Sequence, residues 1–194
     1  MYKKNDRQQQ AKILRVFRKI HRTTGALLFA FFFIIAGTGL LLGWKKHSGG
    51  ILLAKTHKGF SSDLKDWLPL DSLYKNACSY LKASIKTEVE NKNVRIDARK
   101  EKGIVKFIFT DIFWGVQVDA ATGQVLHIES RRSDFIEKIH DGSIADLIFG
   151  IEGEYIKLVY TTITGLALLI FTITGFWLWY GPKRMRMAGT RHST

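Results

Sequence analysis

The sequence predicts an α+β membrane protein in which two transmembrane helices flank a small domain of one helix and an antiparallel sheet. Three observations favour this fold class. Two long stretches contain no charged residue, positive charge is concentrated outside both, and the region between them has the patterns of a helix and several short strands.

The two uncharged stretches are residues 23–44 and 158–180, which are 22 and 23 residues long. As helices they measure about 33 to 35 Å at 1.5 Å per residue, enough to cross a hydrocarbon core of about 30 Å. A cleaved signal peptide is the alternative for the first stretch. Its apolar part, however, is longer than the roughly 7 to 15 residues of a signal sequence and ends in Leu-Gly-Trp-Lys-Lys. We therefore predict an uncleaved anchor.

The net charge of +13 is concentrated at the two chain ends. Residues 1–22 hold eight basic residues and one acid (+7), and residues 181–194 hold four basic residues and no acid (+4), which leaves +2 for residues 45–157. Positive charge outside both spans is typical of cytoplasmic segments. We expect a multi-pass membrane protein with both termini in the cytoplasm and residues 45–157 on the other side of the membrane. No nucleic-acid-binding motif accompanies the charge, so nucleic acid is not an expected partner.

The chain divides at the two spans. Residues 1–22 form a basic cytoplasmic segment, helical from about Ala11, and residues 181–194 form a basic cytoplasmic tail. Between the spans, residues 45–132 form the α+β domain, and residues 133–157 form an amphipathic segment that returns to the membrane. In that segment Ser133, followed by Asp134 and Glu137, is typical of a capped helix start.

The α+β domain is expected to begin with a loop and continue with a helix over residues 69–86. Residues 93–99 and 103–112 are strand-like, and residues 113–118 lead through a tight turn into a strand over 124–128. At that turn Gly123 supplies a positive φ. Asp119 is interpreted as a turn residue, and Cys78 as a residue of the helix's apolar face.

Small residues recur in both spans and predict close helix packing. Gly39 and Gly43 form a GxxxG pair in the first span, and Gly165 and Gly175 belong to a stripe of small residues in the second. They predict packing of the two helices on each other or on other subunits. The expected partners are therefore the lipid bilayer and either a second copy of the chain or a larger membrane complex.

Four short motifs resemble those of the PepSY families. The hairpin VDAATGQVL (residues 118–126) resembles the signature hairpin of the PepSY domain, a small helix-plus-sheet module. The HRTTG motif (21–25), the IHDG motif (139–142) and the ITGFWLW motif (173–179) resemble the pattern of the PepSY-associated transmembrane helix family. Together these marks cover most of residues 15–185. The resemblance implies a location in the bacterial inner membrane, with residues 45–157 in the periplasm and a PepSY-like domain between the two spans.

The resemblance also implies a function in iron acquisition. Larger members of the family are iron-regulated inner-membrane proteins, and some resemble ferric-siderophore reductases that hold haem between transmembrane helices through histidine pairs. It implies haem b as cofactor and His21 and His140 as candidate ligands, with Gly25 giving room for the macrocycle. His47 is a third candidate because it lies just past the first span, on the same side of the membrane as His140. His47 and His140 are expected to meet at the outer membrane boundary, while His21 needs a partner from a second copy. This chain has two spans instead of four or more, so an oligomer or a complex is implied.

Other chemistry has little support in the sequence. No phosphate-binding loop, CxxC pair or HExxH motif is present, and neither uncharged stretch offers an ionisable path for protons or ions. We predict no catalytic side chain and no metal other than haem iron. His57, His127 and His192 are interpreted as solvated residues.

The sequence is compatible with two functions. The first is a haem-linked electron-transfer or ferric-siderophore reductase-like subunit. The second is a non-catalytic module, anchored in the membrane, that binds a peptide, receptor or partner enzyme in the periplasm.

Overall fold

The structure is a computed structural model that describes residues 4–86 and 93–190. It divides into two compact units, one formed by Met1–Gly37 with His140–Thr194 and the other by Thr38–Ile139. The elements in chain order are α1 (Lys4–Trp44), α2 (Leu70–Ile85), β1 (Val94–Arg99), β2 (Ile104–Phe109), β3 (Trp114–Asp119), β4 (Val125–Ser130), α3 (Arg132–His140), α4 (Ser143–Phe149) and α5 (Tyr155–Thr190).

Two helices, α1 and α5, are long and apolar enough to cross a membrane. They have 41 and 36 residues and extend well beyond the uncharged stretches. The prediction that the first helix starts near Ala11 was wrong, because α1 begins at Lys4. Lys, Gln and Arg are good helix formers, so the basic segment continues the helix without a break. At the other end α5 runs through Pro182 to Thr190, so much of the predicted tail is helical.

The second unit contains a four-stranded sheet in the order β1-β2-β3-β4, with every neighbouring pair antiparallel. This confirms the predicted combination of one helix and an antiparallel sheet. Helix α2 covers one face of the sheet. Its buried residues Leu73, Ala77 and Leu81 pack with inward side chains of β2 and β3. These are Val105, Phe107, Phe109, Val116 and Val118.

The turn before β4 has the predicted chemistry. Asp119 Oδ1 accepts hydrogen bonds from the backbone N–H groups of Ala121 and Thr122, at 2.9 and 3.1 Å. Gly123 has φ +73°, which L side chains rarely adopt. The prediction of Asp119 as a turn residue is therefore confirmed. The second strand, in contrast, ends at Phe109 and not at residue 112, because the chain turns before Phe113, whose φ is +56°.

The other face of the sheet carries buried charge. Lys106, Gln117 and Glu129 on β2, β3 and β4 are 3%, 0% and 4% exposed. Glu129 accepts from the Arg131 guanidinium at 2.9 Å and from the Gln117 amide at 2.9 Å, while the Lys106 ammonium lies 3.9 Å from its carboxylate. Burial lowers the pKa of Lys106, although the charge of Glu129 partly offsets this effect.

The amphipathic segment after the sheet forms two short helices, α3 and α4. Helix α3 begins at Arg132, so Ser133 lies inside the helix and is not its cap. Its hydroxyl donates to the Asp134 carboxylate, and its backbone N–H donates to the Leu52 carbonyl. Gly142, with φ +81°, separates the two helices. This break directs α4 toward the start of α5.

Candidate functional site

Helices α1 and α5 approach each other closely at three positions where one of them has a glycine. A Cβ on Gly25 would lie 3.0 Å from the Phe171 ring, and one on Gly175 would lie 3.3 Å from His21 Cε1. A third contact places Leu14 against Gly181. Of the predicted packing glycines, Gly175 takes part in these contacts, while packing at Gly39 stays a prediction. At Gly43 and Gly165 a Cβ would meet no other described atom within 4 Å.

His21 is held against α5 by two polar contacts and one stacking contact. Its Nδ1 lies 3.2 Å from the Phe171 carbonyl oxygen and 2.9 Å from Thr174 Oγ1, and its ring stacks on the Phe171 ring at 3.9 Å. A carbonyl oxygen can only accept, so the contact with Phe171 assigns the proton to Nδ1. Thr174 Oγ1 also lies 2.7 Å from the Ile170 carbonyl, to which it donates. When the ring is neutral, this arrangement leaves the lone pair on Nε2.

Beyond Phe171, the two helices enclose an apolar groove of about 500 Å³. We call it the helix-pair groove. The α1 side is formed by Phe32, Ile35 and Ala36, and the rest is lined by His140, Asp141, Tyr160, Thr161, Thr164, Gly165, Leu168 and Phe171. Its volume is typical of small-molecule and cofactor sites, which are mostly apolar with few polar groups. His140 therefore lies where an imidazole can reach a bound molecule.

Asp141, the next residue of the IHDG motif, fixes this end of the groove. Its Oδ1 accepts from the backbone N–H and the hydroxyl of Ser143, at 3.0 and 2.7 Å, and its Oδ2 pairs with the Lys157 ammonium at 3.2 Å. Burial raises the pKa of Asp141, but the hydrogen bonds from Ser143 and the ion pair with Lys157 outweigh burial and lower it. The carboxylate therefore joins the start of α4 to the first turn of α5.

Gly142, the last residue of the motif, is required by both its backbone and its surroundings. Its φ is +81°, and a Cβ there would lie 2.5 Å from the Tyr160 ring. Tyr160 itself lines the helix-pair groove and contacts Phe31 of α1 at 6.0 Å between ring centroids. The IHDG motif thus contributes a groove-lining imidazole, a helix-joining carboxylate and a glycine that admits an aromatic ring.

The other predicted site residues have different surroundings. His21 is not part of the groove lining, because Phe171 lies against its ring on that side. The position that a Cβ of Gly25 would occupy lies against Phe171 and not against the groove. The haem-packing role of Gly25 therefore stays a prediction. His47 is exposed and ends a short 3₁₀ helix, Lys45–His47. Its pairing with His140 stays a prediction as well.

A second pair of histidines, His57 and His127, was not expected from the sequence. Their ring centroids lie 5.1 Å apart, and His57 donates its backbone N–H to Gln117, the residue opposite His127 on β3. The two residues are 70 positions apart, so no local sequence pattern predicts the contact. Within residues 4–86 and 93–190, no group of three or more His, Cys, Asp or Glu residues could hold a metal ion directly.

The chain matches no protein-family model, no curated protein and no solved structure. Its resemblance to the PepSY families therefore rests on the four sequence motifs. The structural roles of the IHDG and HRTTG residues are independent of that resemblance.

Proposed function

We propose that this chain is an inner-membrane component of iron acquisition that holds haem b in the helix-pair groove and takes part in electron transfer. The single observation that carries the proposal is the position of His140 on an apolar groove of about 500 Å³ between two helices long enough to span a membrane. An imidazole is a common protein ligand of haem iron, and an apolar, water-poor surround suits the haem ring.

The residues of the groove fit such a group. The macrocycle supplies four nitrogen ligands, so one histidine is sufficient and a cluster of three protein ligands is not required. Gly165 and Ala36 leave room on opposite helices, and Phe32 and Phe171 offer flat apolar walls. Asp141, fixed by Ser143 and Lys157, holds the turn on which His140 is carried.

His21 is the candidate for a second centre. Ligating histidines usually donate their other ring N–H to an oxygen, which fixes the tautomer and the ring orientation. His21 donates Nδ1–H to the Phe171 carbonyl and to Thr174 Oγ1 and directs the lone pair to Nε2. Because Phe171 lies between His21 and the groove, its partner would come from a second copy or another subunit. A homo-oligomer or membrane complex therefore belongs to this proposal.

When bound, haem would supply one-electron chemistry, and the residues of this chain would supply orientation and a dry surround. The proposed topology has both termini in the cytoplasm and residues 45–157 in the periplasm, supported by the charge of +7 and +4 at the two ends. The periplasmic, PepSY-like domain would bind the electron acceptor, a ferric siderophore or a protein that carries it.

The test is haem binding by protein purified from haem-replete cells. We expect a Soret band that shifts on reduction by dithionite, and we expect the variant His140→Ala to lose most of it. His57→Ala is the control, since His57 belongs to the other unit and pairs with His127. A colourless protein with a native circular dichroism spectrum would overturn the proposal.

A second test fills the groove without touching a ligand. Gly165→Leu places a side chain where no described atom lies within 4 Å of the Cβ position, so the fold should tolerate it. We expect haem retention to fall at least as far as in His140→Ala. Gly43→Leu is the matched control, because its Cβ position is equally open and it does not line the groove. Equal haem content in the two glycine variants would place haem elsewhere.

The alternative function is a non-catalytic interaction module, and exposed apolar side chains of the second unit favour it. Phe60 and Leu64 are 83% and 55% exposed, although both belong to the folded domain. Large exposed apolar residues often mark protein-binding surfaces. If the protein is colourless, loss of a co-purifying partner on Phe60→Ser, with the fold intact, would support this alternative.

A further inference from the structure

A second apolar pocket lies between α1 and α5 near the chain ends, separate from the helix-pair groove. It has a volume of about 330 Å³ and is lined by Gln10, Ile13, Leu14, Phe17, Trp177, Gly181 and Arg184. We call it the terminal slot. Phe17 and Trp177 stack at 6.3 Å between ring centroids, and Leu14 contacts Gly181, so these two contacts join the helices on either side of the slot.

The slot combines an apolar interior with a charged end. Trp177 and Arg184 are seven residues apart on α5, which corresponds to about 10 Å along the helix axis. Trp and Tyr are enriched where the hydrocarbon meets the head groups, and Trp177, Trp179 and Tyr180 form such a group here. If these aromatic residues mark the edge of the hydrocarbon, Arg184 lies at the depth of the lipid phosphates. An acyl chain fits the aromatic part and a phosphate fits the arginine.

The charge around the slot selects the sign of the ligand. Lys183 lies over the Trp179 ring at 4.4 Å, and residues 181–194 contain four basic residues and no acid. On α1, residues 8–22 are also free of acids and hold five basic residues. Basic pockets between transmembrane helices attract anionic head groups, and each nearby Lys or Arg contributes about 1 kcal/mol. A zwitterionic lipid would place its own positive charge next to these basic residues, which is unfavourable.

We infer that the terminal slot is a binding site for one anionic phospholipid, with its phosphate on Arg184 and an acyl chain along Leu14, Phe17 and Trp177. The inference does not depend on haem, because no residue lines both the slot and the groove. The bound lipid would connect the two long helices at the end that carries both termini.

The test uses the full-length protein in mixed micelles with phosphatidylglycerol or phosphatidylcholine. Native mass spectrometry should show one retained phosphatidylglycerol per chain and little phosphatidylcholine. Arg184→Gln should weaken retention about fivefold, the loss expected from one cation near a lipid surface. Arg15→Gln is the matched control, because Arg15 is exposed on α1 and does not line the slot. It should reduce retention clearly less than Arg184→Gln does.

Two further arms separate the sources of the signal. Ile13→Trp fills the slot from α1 without changing its charge, and it should displace the lipid while circular dichroism stays native. The soluble head group glycerophosphoglycerol, added without an acyl chain, should not raise the melting temperature. Equal losses in Arg184→Gln and Arg15→Gln would show diffuse charge attraction and overturn the site. Equal retention of phosphatidylcholine would overturn the anionic assignment.

Discussion

At the residue scale, Thr174 explains how a histidine is accommodated inside a helix pair. Its hydroxyl donates to the Ile170 carbonyl at 2.7 Å and accepts from His21 Nδ1 at 2.9 Å. An imidazole N–H without a partner is costly in an apolar surround. Thr174, which is 3% exposed, supplies the nearer of the two acceptors for this N–H, the other being the Phe171 carbonyl, and its side chain is small enough to keep the helices close.

We predict that Thr174→Val lowers the free energy of unfolding by about 0.6 to 1 kcal/mol, the usual value of one hydrogen bond between membrane helices. Valine keeps the shape and removes the hydroxyl. Equilibrium unfolding in mixed micelles measures the change. Thr172→Val is the control, because its exposed hydroxyl bonds only to the Leu168 carbonyl of its own helix among the described residues. A similar loss in both variants would mean that the bond to His21 contributes nothing.

The buried Lys106 gives the domain an alkaline pH dependence. Burial lowers its pKa in the folded chain, whereas the unfolded chain keeps the ordinary value of 10.5. Between these two values the unfolded chain binds a proton that the folded chain lacks, so the free energy of unfolding rises with pH. We predict this rise in the native protein and its absence in Lys106→Met, measured by denaturation at pH values up to 10.

The upper limit of that measurement is set by Tyr74. Burial raises the pKa of Tyr74 to about 12, with a further contribution from its hydrogen bond to Cys78. Above pH 10 the unfolded chain loses this phenolic proton before the folded chain does, so stability falls there. Parallel stability curves for the native protein and Lys106→Met below pH 10 would show that Lys106 stays charged when folded.

At the element scale, the short helix α4 prepares the start of α5. Asp146 of α4 is 6% exposed, and its two carboxylate oxygens accept from the backbone N–H groups of Ile156 and Lys157, at 2.9 and 2.8 Å. These donors belong to the first turn of α5 and have no partner within the helix. Asp146, nine positions before the first residue of α5, thus acts as an N-cap. Its negative charge interacts favourably with the positive end of the helix dipole.

We predict that Asp146→Ala destabilises the protein by about 1 to 2 kcal/mol, the cost of losing a helix cap. Thermal or chemical denaturation in micelles measures it. Glu154→Gln is the control, since Glu154 is an exposed acid of the same region whose carboxylate pairs with the Lys157 ammonium. An Asp146→Ala variant as stable as Glu154→Gln would show that solvent caps α5 equally well.

The elements differ in how far their sequence predicts them. Helix α2 and the sheet follow from local patterns, because alternating apolar residues and the Asp119–Gly123 turn are encoded within a few positions. The contacts between α1 and α5 are not local. Gly43 is open and Gly181 holds Leu14, although both are glycines near the end of an apolar run. Which glycine contacts the other helix depends on how α1 and α5 are aligned, and these helices are more than 100 residues apart in the sequence. No local sequence pattern contains that information.

The candidate site shows the same division. The sequence singled out His140 of the IHDG motif as a candidate ligand, and His140 and Asp141 do line the helix-pair groove. The sequence did not predict that Phe171 stacks on His21, or that His57 contacts His127. Each contact joins residues that are far apart in the sequence, so it depends on the tertiary fold and not on a local pattern.

At the scale of the whole molecule, charge and hydropathy together favour one orientation. The basic ends belong to the same unit, and both lie on helices that continue past the apolar stretches. We predict that positions near the chain ends face the cytoplasm and positions of the sheet unit face the periplasm. Single cysteines at exposed Ser62 and Thr122 should react with an impermeant maleimide in intact cells, whereas cysteines at exposed Lys12 and Lys183 should not.

The labelling experiment requires a background without the native thiol, so Cys78→Ala is introduced first. Cys78 packs at the edge of the α2 core, and alanine keeps that surface apolar. Permeabilised cells are the control, because all four positions should then react and so prove that each thiol is accessible. Labelling at Lys12 and Lys183 but not at Ser62 and Thr122 in intact cells would invert the topology. That result would also move the proposed electron acceptor to the cytoplasm, since the sheet unit cannot bind a periplasmic ligand from there.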